Sequence, residues 1–381
     1  MRSSKFRKGV PTVRLLICAG GTGGGVYPAL AVLQAMEGNY SDILWVGGEG
    51  GMEENLVKRL NLPYQEIPAA GVHGVGLRSL PGNIYKLIRG VIKSAQILNQ
   101  YQPDVIFYTG GYLAAPMAVA GFKKPSVLYV PDIEPGIALK FIAKFAHTIA
   151  LTTENSKKFF NQGQKLVVTG YPLRKELKQY SKVEARKVFN LHDRLPVLLI
   201  YGGSKGAHTI NQVIKKNLEI LLTKTQIIHV TGNYDWADMQ QAYSELPAEL
   251  SENYRIYPYI HEEMSAAFSC ADLCVCRGGA STLGELPFFG LPAIVVPYPY
   301  AWRYQKINAQ YLVDHHAAIM LPDEEMDNRL LNEIIQCLSQ INHIDEMRSA
   351  MHSLSKPDAA QQIGNLITQQ FNLSSQKGGP A

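Results

Sequence analysis

Cysteine is scarce in this chain of 381 residues: there are five. Three of them, Cys270, Cys274 and Cys276, crowd one apolar stretch. Cys274 and Cys276 stand too close for a C-x2-C zinc knuckle and no paired histidines follow, so buried free thiols are expected rather than a metal site or a disulfide framework. Long hydrophobic runs are also missing. No stretch approaches the roughly 18 to 20 uninterrupted apolar residues of a membrane-spanning helix, which leaves peripheral contact as the expected mode of any membrane association. The start is basic, but the apolar run Val13 to Ala19 is short and leads into glycines; it reads as a strand, and no export signal is expected. No D-x-D-like acidic pair stands at a strand end. The chemistry is therefore expected to need no metal and no cofactor.

Charged residues make up only 18% against 46% hydrophobic, a balance that suits sizeable cores and argues against extended disorder. The formal charge of +5 permits attraction to an anionic membrane or a phosphorylated ligand without requiring either. No nucleic-acid partner is expected.

The length exceeds what one core usually serves and suggests two α/β domains. Apolar, β-rich runs at Val13 to Ala19, Asp42 to Val46, Asp104 to Tyr108, Ser126 to Val130 and Thr148 to Thr152 alternate with helix-like stretches. The rhythm repeats at Pro196 to Tyr201, Gln226 to Thr231, Tyr254 to Tyr259, Ala271 to Cys276, Ala293 to Pro297 and Ala317 to Leu321. Such alternation predicts two doubly wound parallel sheets. The boundaries expected are a first domain over 1–171, a linker over 172–195, a second domain over 196–355, and a final helix with a frayed tail over 356–381 that is free to cross back to the first domain.

Glycine is concentrated where strands end. Gly20-Gly-Thr-Gly-Gly-Gly25 follows the first strand and opens a helix; Gly202-Gly-Ser-Lys-Gly206 does the same about 180 residues later. Glycines let the chain turn with positive φ and bring backbone amides close to a ligand at a helix N-terminus, where anions are favoured. The spacing is not G-x-G-x-x-G and no ribose-binding acid follows, which argues against NAD. Two such units support twin Rossmann-like domains with their loops at the carboxyl ends of the strands. Further glycine turns stand at Gly110-Gly111 and at Arg277-Gly-Gly-Ala-Ser-Thr-Leu-Gly-Glu285. The last combines small residues, hydroxyls and a carboxylate, a set suited to a diphosphate and a ribose diol; an ordinary first-turn helix acid is the plain alternative for Glu285.

Taken together these blocks resemble the MurG-type N-acetylglucosaminyltransferases, over nearly the whole chain. The family loop G-G-T-G-G-H-x-x-P-A-L-A stands here as Gly20 to Ala31, and Pro103 to Tyr112, Val168 to Arg174, Gly202 to Ala207 and Ala271 to Glu285 are similar to further signature blocks. The resemblance implies a GT-B fold, two Rossmann-like domains facing a central cleft, and transfer of N-acetylglucosamine from UDP-GlcNAc to an undecaprenyl-linked muramyl-pentapeptide at the cytoplasmic face of the cell membrane. Carried over residue by residue, it implies that Thr22, Gly23 and Gly24 lie near the donor. Arg174 and Ser204 would contact its phosphate side, and Ile260 the uracil. Ala280, Ser281, Thr282, Leu283, Gly284 and Glu285 would meet the diphosphate and ribose, with Glu285 the ribose ligand, and Gln305 a sugar hydroxyl. The pattern breaks at Gly25, where the family has histidine, and at Tyr129 to Gly136, where H-E-Q-N-x-x-P-G has become Y-V-P-D-I-E-P-G.

Inverting transfer needs a base at the acceptor hydroxyl and stabilisation of the departing UDP, which amides, a helix N-terminus and Arg174 are suited to supply. With the family histidine gone, the candidate bases are Asp132, then Glu134, and more weakly His73. The segment Gly82 to Leu98 spaces apolar residues helically with Lys86, Arg89 and Lys93 between them, which fits either a helix resting on an anionic bilayer or a domain helix with a solvated face. Alternatives to the leading reading are a UDP-sugar transferase with another lipid or glycan acceptor, a UDP-GlcNAc 2-epimerase, and a UDP-sugar binder without turnover.

Overall fold

The apolar runs become strands buried on both faces, as parallel strands between helical layers must be. The structure, a computed structural model, describes residues 12–21, 23–51, 53–71, 80–203, 206–299 and 304–377. It divides into two units, Met1–Arg174 with Pro357–Ala381, and Lys175–Lys356. Within the segment 172–195, residues from Lys175 onward thus group with the second unit.

In the first unit the strands are β1 (Val13–Cys18), β2 (Tyr40–Gly48), β3 (Tyr64–Ile67), β4 (Val105–Tyr108), β5 (Ser126–Val130), β6 (Thr148–Leu151) and β7 (Leu166–Val168). They form a seven-stranded sheet in the order β3-β2-β1-β4-β5-β6-β7, every pair parallel. The helices are α1 (Gly23–Ala35), α2 (Glu53–Arg59), α3 (Leu80–Tyr101), α4 (Ala114–Ala120) and α5 (Ile137–Ile142). Helices α3, α4 and α5 pack in succession beside one another, over a core that includes Leu16, Cys18, Ile106, Met117, Leu128 and Ile149. The C-terminal helix Ala359–Lys377 lies against α1 and β5. Gly364 permits its approach to α1, since a Cβ there would stand 2.8 Å from the Met36 side chain, and Gln370 Nε2 donates to Thr148 Oγ1 at 2.8 Å.

The second unit holds β8 (Val197–Tyr201), β9 (Gln226–Val230), β10 (Tyr254–Tyr257), β11 (Leu273–Cys276), β12 (Ala293–Val295) and β13 (Ala318–Met320). Their order is β10-β9-β8-β11-β12-β13, again all parallel. Helix α6 (Lys182–Val188) starts on a capping box, in which the Ser181 side chain accepts from the Glu184 amide and the Glu184 carboxylate accepts from the Ser181 amide. It is fastened to the unit by Asp272, which pairs with Lys182 and Arg186. Helix α7 (His208–Lys216) follows the glycine loop after β8.

All five cysteines are free and buried. Burial pushes the Cys270 thiol up to about 12 and the Cys337 thiol up to about 11, so neither is a nucleophile near neutral pH.

Candidate active site

In each sheet the chain order reverses beside a central strand: β1 lies between β2 and β4, and β8 between β9 and β11. Ligands of open parallel sheets bind beyond the carboxyl ends of the strands at such switch points. The four glycine turns seen in the sequence follow β1, β4, β8 and β11.

The first glycine turn is held from beneath. Glu53, the first residue of α2, is 1% exposed. Its Oε2 accepts from the Gly21 amide at 3.1 Å and its Oε1 from the Gly48 amide at 2.8 Å. The neighbouring glycines make room for that carboxylate, because a Cβ at Gly20 or Gly51 would lie 2.2 Å from Oε1 and one at Gly47 2.8 Å from it. Gly21 itself has φ 85°, the left-handed region that favours glycine. The expectation that this loop's amides are aimed at an anionic ligand is therefore corrected for Gly21, whose N–H is spent on a protein carboxylate. Thr22 lies outside the described residues. Gly23 and the exposed Gly24 open α1, and the Arg174 guanidinium sits 5.1 Å from the centre of the Tyr27 ring on the same helix. Arg174 and the first glycine loop are thus brought together.

Gly25 is buried, and its carbonyl accepts from Thr109 Oγ1 at 2.6 Å. A Cβ at this position would be 2.9 Å from the Thr109 backbone oxygen and 3.4 Å from that of Gly20. The turns after β1 and β4 are packed so closely that the position takes no side chain without a backbone shift.

Asp132 follows β5 by one proline and is half-buried, whereas Glu134 is 3% exposed and faces Lys140, with Nζ to Oε1 at 3.5 Å. Glu134 is thus held deep in the unit, whereas Asp132 stands nearer its surface. Asp132 and the first glycine turn leave the same edge of the sheet two strands apart, a separation of about 10 Å. The turn before Asp132 is pinned by Thr152, whose hydroxyl lies 2.8 Å from the Pro131 carbonyl and 2.7 Å from the Tyr129 hydroxyl. His73 lies outside the described residues.

In the second unit Gly203 and Gly206 adopt φ 82° and 79°, and a Cβ at Gly206 would be 2.3 Å from the Thr231 carbonyl. Ser204, between them, lies outside the described residues. After β11, Ala280–Leu283 form a turn of 3-10 helix and Glu285, half-buried, begins the short helix Glu285–Phe289. The Thr282 hydroxyl donates to the Gly279 carbonyl at 2.6 Å and so braces the turn. Gln305 Oε1 accepts from the Tyr298 amide at 2.9 Å, and Asn308 Nδ2 donates to the Gly278 carbonyl at 3.1 Å. Gln305, Gly278 and Ala280 to Glu285 therefore share one corner. Ile260 is buried in the turn after β10, three strands from β11 along the same sheet.

Arg277, which no sequence pattern marks as a fastener, holds the turns around this corner together. It is 9% exposed, and its guanidinium donates to Asp323 Oδ1 at 2.5 Å, Thr209 Oγ1 at 2.6 Å and the Val296 carbonyl at 3.2 Å. It ties α7 to the turns after β11 and β12. Glu53 escaped the sequence reading, although a carboxylate placed just after Gly47-Gly48 and Gly50-Gly51 is a signal that close backbone approach is being arranged around it.

Residues 15–151 match the N-terminal domain of glycosyltransferase family 28, and residues 197–363 its C-terminal domain. A UDP-N-acetylglucosamine--N-acetylmuramyl-(pentapeptide) pyrophosphoryl-undecaprenol N-acetylglucosamine transferase of Roseiflexus sp. is 35% identical over 94% of this chain and 95% of its own length. The chain belongs to glycosyltransferase family 28, in its MurG type. The enzyme of the same name from Bacillus subtilis is 30% identical over 93% of this chain and 99% of its own. Among solved structures, MurG of Acinetobacter baumannii superposes with a TM-score of 0.75 at 28% identity, covering 93% of this chain and 99% of that one. The family 28 glycosyltransferases of this type have the GT-B fold of two parallel-sheet domains. A UDP-N-acetylglucosamine 2-epimerase also superposes, with a TM-score of 0.64, but at 12% identity it shares the fold alone.

Proposed function

We propose that this glycosyltransferase moves N-acetylglucosamine from UDP-N-acetylglucosamine to a polyprenyl-linked muramyl-pentapeptide, with inversion, in peptidoglycan synthesis. The observation that carries the proposal is full-length similarity to transferases of that name, combined with glycine turns at the switch points of both sheets. The loops of the second unit hold the donor: Ser204 and Ala280 to Glu285 on the diphosphate and ribose, Ile260 on the uracil, Gln305 on a sugar hydroxyl. In the first unit, Thr22, Gly23, Gly24 and Arg174 are assigned to the UDP-sugar as well. UDP leaves as an anion, and a fixed guanidinium with backbone amides stabilises charge that grows in the transition state. Asp132 is the base that takes the proton of the acceptor hydroxyl as that oxygen attacks the anomeric carbon.

The acceptor is carried in a membrane, and the first unit has a surface suited to one. Helix α3 exposes Ile84, Tyr85, Ile88 and Ile92, interleaved with exposed Lys86, Arg89 and Lys93. Phe122 after α4, and Ile137 and Phe141 on α5, add exposed apolar side chains along the adjoining helices. Apolar side chains among cations favour an anionic bilayer surface, and no described helix is long and apolar enough to cross a membrane. The enzyme is therefore peripheral, on the cytoplasmic face where the nucleotide sugar is available.

Gly25 supports a second reading. Gly25 replaces the histidine of the family, and its tight contact with Thr109 admits a side chain only with a backbone shift, which favours a different lipid or glycan acceptor with the same donor. Purified protein incubated with radiolabelled UDP-N-acetylglucosamine and membrane lipid extract separates the two. Label on the muramyl-peptide lipid supports the first reading, label on another lipid or glycan the second. UDP binding with no transfer overturns both.

A further inference from the structure

A carboxylate buried without a cation is costly unless hydrogen bonds compensate it. Glu53 has no ion-pair partner within 4 Å among the described residues, and its carboxylate instead joins two backbone amides from different strand ends, Gly21 after β1 and Gly48 at the end of β2. Three glycines, Gly20, Gly47 and Gly51, lack the Cβ that would strike it. Trp45 Nε1 adds a parallel tie from β2 to the first turn, donating to the Ala19 carbonyl at 2.9 Å. The backbone is shaped around the carboxylate on three sides.

We propose that Glu53 is a positioning residue for sugar transfer, acting through the Gly21 amide to set the first glycine turn and so the start of α1 at Gly23 and Gly24. The proposal rests on the transferase reading given above. With Gly21 N–H turned inward onto a negative charge, the base of this turn is a poor seat for a diphosphate. The Gly21 amide is thereby unavailable to a ligand phosphate, whose charge is left to other donors. Loss of the Glu53 carboxylate is expected to disturb the chemical step while leaving nucleotide affinity alone.

Glu53→Gln tests this, because it keeps the shape but presents an NH2 to one of the two amides, donor against donor. The neighbouring Glu54→Gln, which removes only a partner of Lys58 on the surface of α2, serves as control. The expected result is a folded Glu53→Gln protein with kcat lowered about 10- to 100-fold, the size of effect that misplacing a reacting group by about an ångström produces, and a KM for UDP-N-acetylglucosamine within about twofold of wild type. A kcat within twofold of wild type overturns the proposal, and so does a rise confined to that KM. If circular dichroism and thermal melting show that Glu53→Gln does not fold, Glu53 is a weld of the unit and the positioning role is lost. A wild type that binds UDP yet transfers no sugar overturns the transferase reading itself, and this role with it.

Discussion

A side chain at position 25 meets backbone rather than space. The nearest obstacle is the Thr109 carbonyl at 2.9 Å, and Thr109 is itself fixed to the Gly25 carbonyl by its hydroxyl. Gly25→Ala is therefore expected to cost about 1 to 3 kcal/mol of stability, the usual penalty for overpacking, read as a lowered melting temperature. Gly25→His is expected to lower it further and to restore no activity; a gain in turnover would mean that the turn yields more readily than its contacts imply. If Asp132 is the base, Asp132→Asn lowers kcat by about 10² to 10⁴ with UDP affinity unchanged, and full turnover in that variant removes the assignment. On the donor side, Glu285→Ala is expected to weaken UDP binding by about 1 to 3 kcal/mol, as loss of charge-assisted hydrogen bonds to the ribose would. An unaltered dissociation constant by calorimetry leaves Glu285 as a helix-start acid only.

Residue-level charge also shapes the pH dependence of stability. His229 is fully buried on β9 between Asn211 and Tyr254, and burial holds its imidazole down to about 3, against the ordinary 6.5. The unfolded chain takes up this proton below about pH 6.5 and the folded chain does not until about pH 3, so the stabilisation is complete above 6.5 and is lost as pH falls. Between pH 6.5 and 5 the loss amounts to about 2 kcal/mol. His229→Gln should melt with a shallower dependence over that interval; an equal slope in both proteins would assign the effect to carboxylates instead.

At the scale of elements, what the sequence made legible follows burial. The strands covered on both faces, such as Ser126–Val130 and Val197–Tyr201, announce themselves as unbroken apolar runs. Two edge strands of the first sheet escape: Tyr64–Ile67 reads Tyr-Gln-Glu-Ile, half in solvent along most of its length, and Leu166–Val168 is apolar but only three residues long and half-buried throughout. An edge strand has one neighbour and needs little apolar surface, so its pattern fades into loop. The glycine turns were legible because few other residues tolerate those conformations. Their reasons were less so. Position and spacing did not reveal that Glu53 lies under the first turn, or that the Thr282 hydroxyl is used within its own. Helix α3 displayed its amphipathic spacing in the sequence, but which face is exposed required its packing against α4. Replacing Ile84, Ile88 and Ile92 together by serine should leave the melting temperature nearly unchanged while reducing co-sedimentation with anionic vesicles. Undiminished vesicle binding would move the membrane contact to another surface.

For the whole molecule, the chain's path makes one unit continuous and the other dependent on its far end. Lys175–Lys356 encloses its own core, with Leu198, Ile210, Ile227, Val275 and Ile334 among the buried residues. The first unit is completed only by the C-terminal helix, which buries Ile363 and Ile367 fully and brings Gln370 to Thr148. Fully burying an isoleucine side chain is worth about 1.5 to 3 kcal/mol, so two of them together with the lost hydrogen bond amount to about 4 to 7 kcal/mol, a large share of the stability of one domain. Ending the chain at Lys356 is therefore expected to lower the melting transition of the first unit strongly and that of the second hardly at all, and calorimetry with two resolved transitions would separate them. UDP affinity should persist to the extent that the second unit alone holds the nucleotide, while transfer to the lipid acceptor should fail at temperatures where the first unit has melted. A truncated protein whose two transitions fall together would show that the units unfold as one, and that the helix supports both.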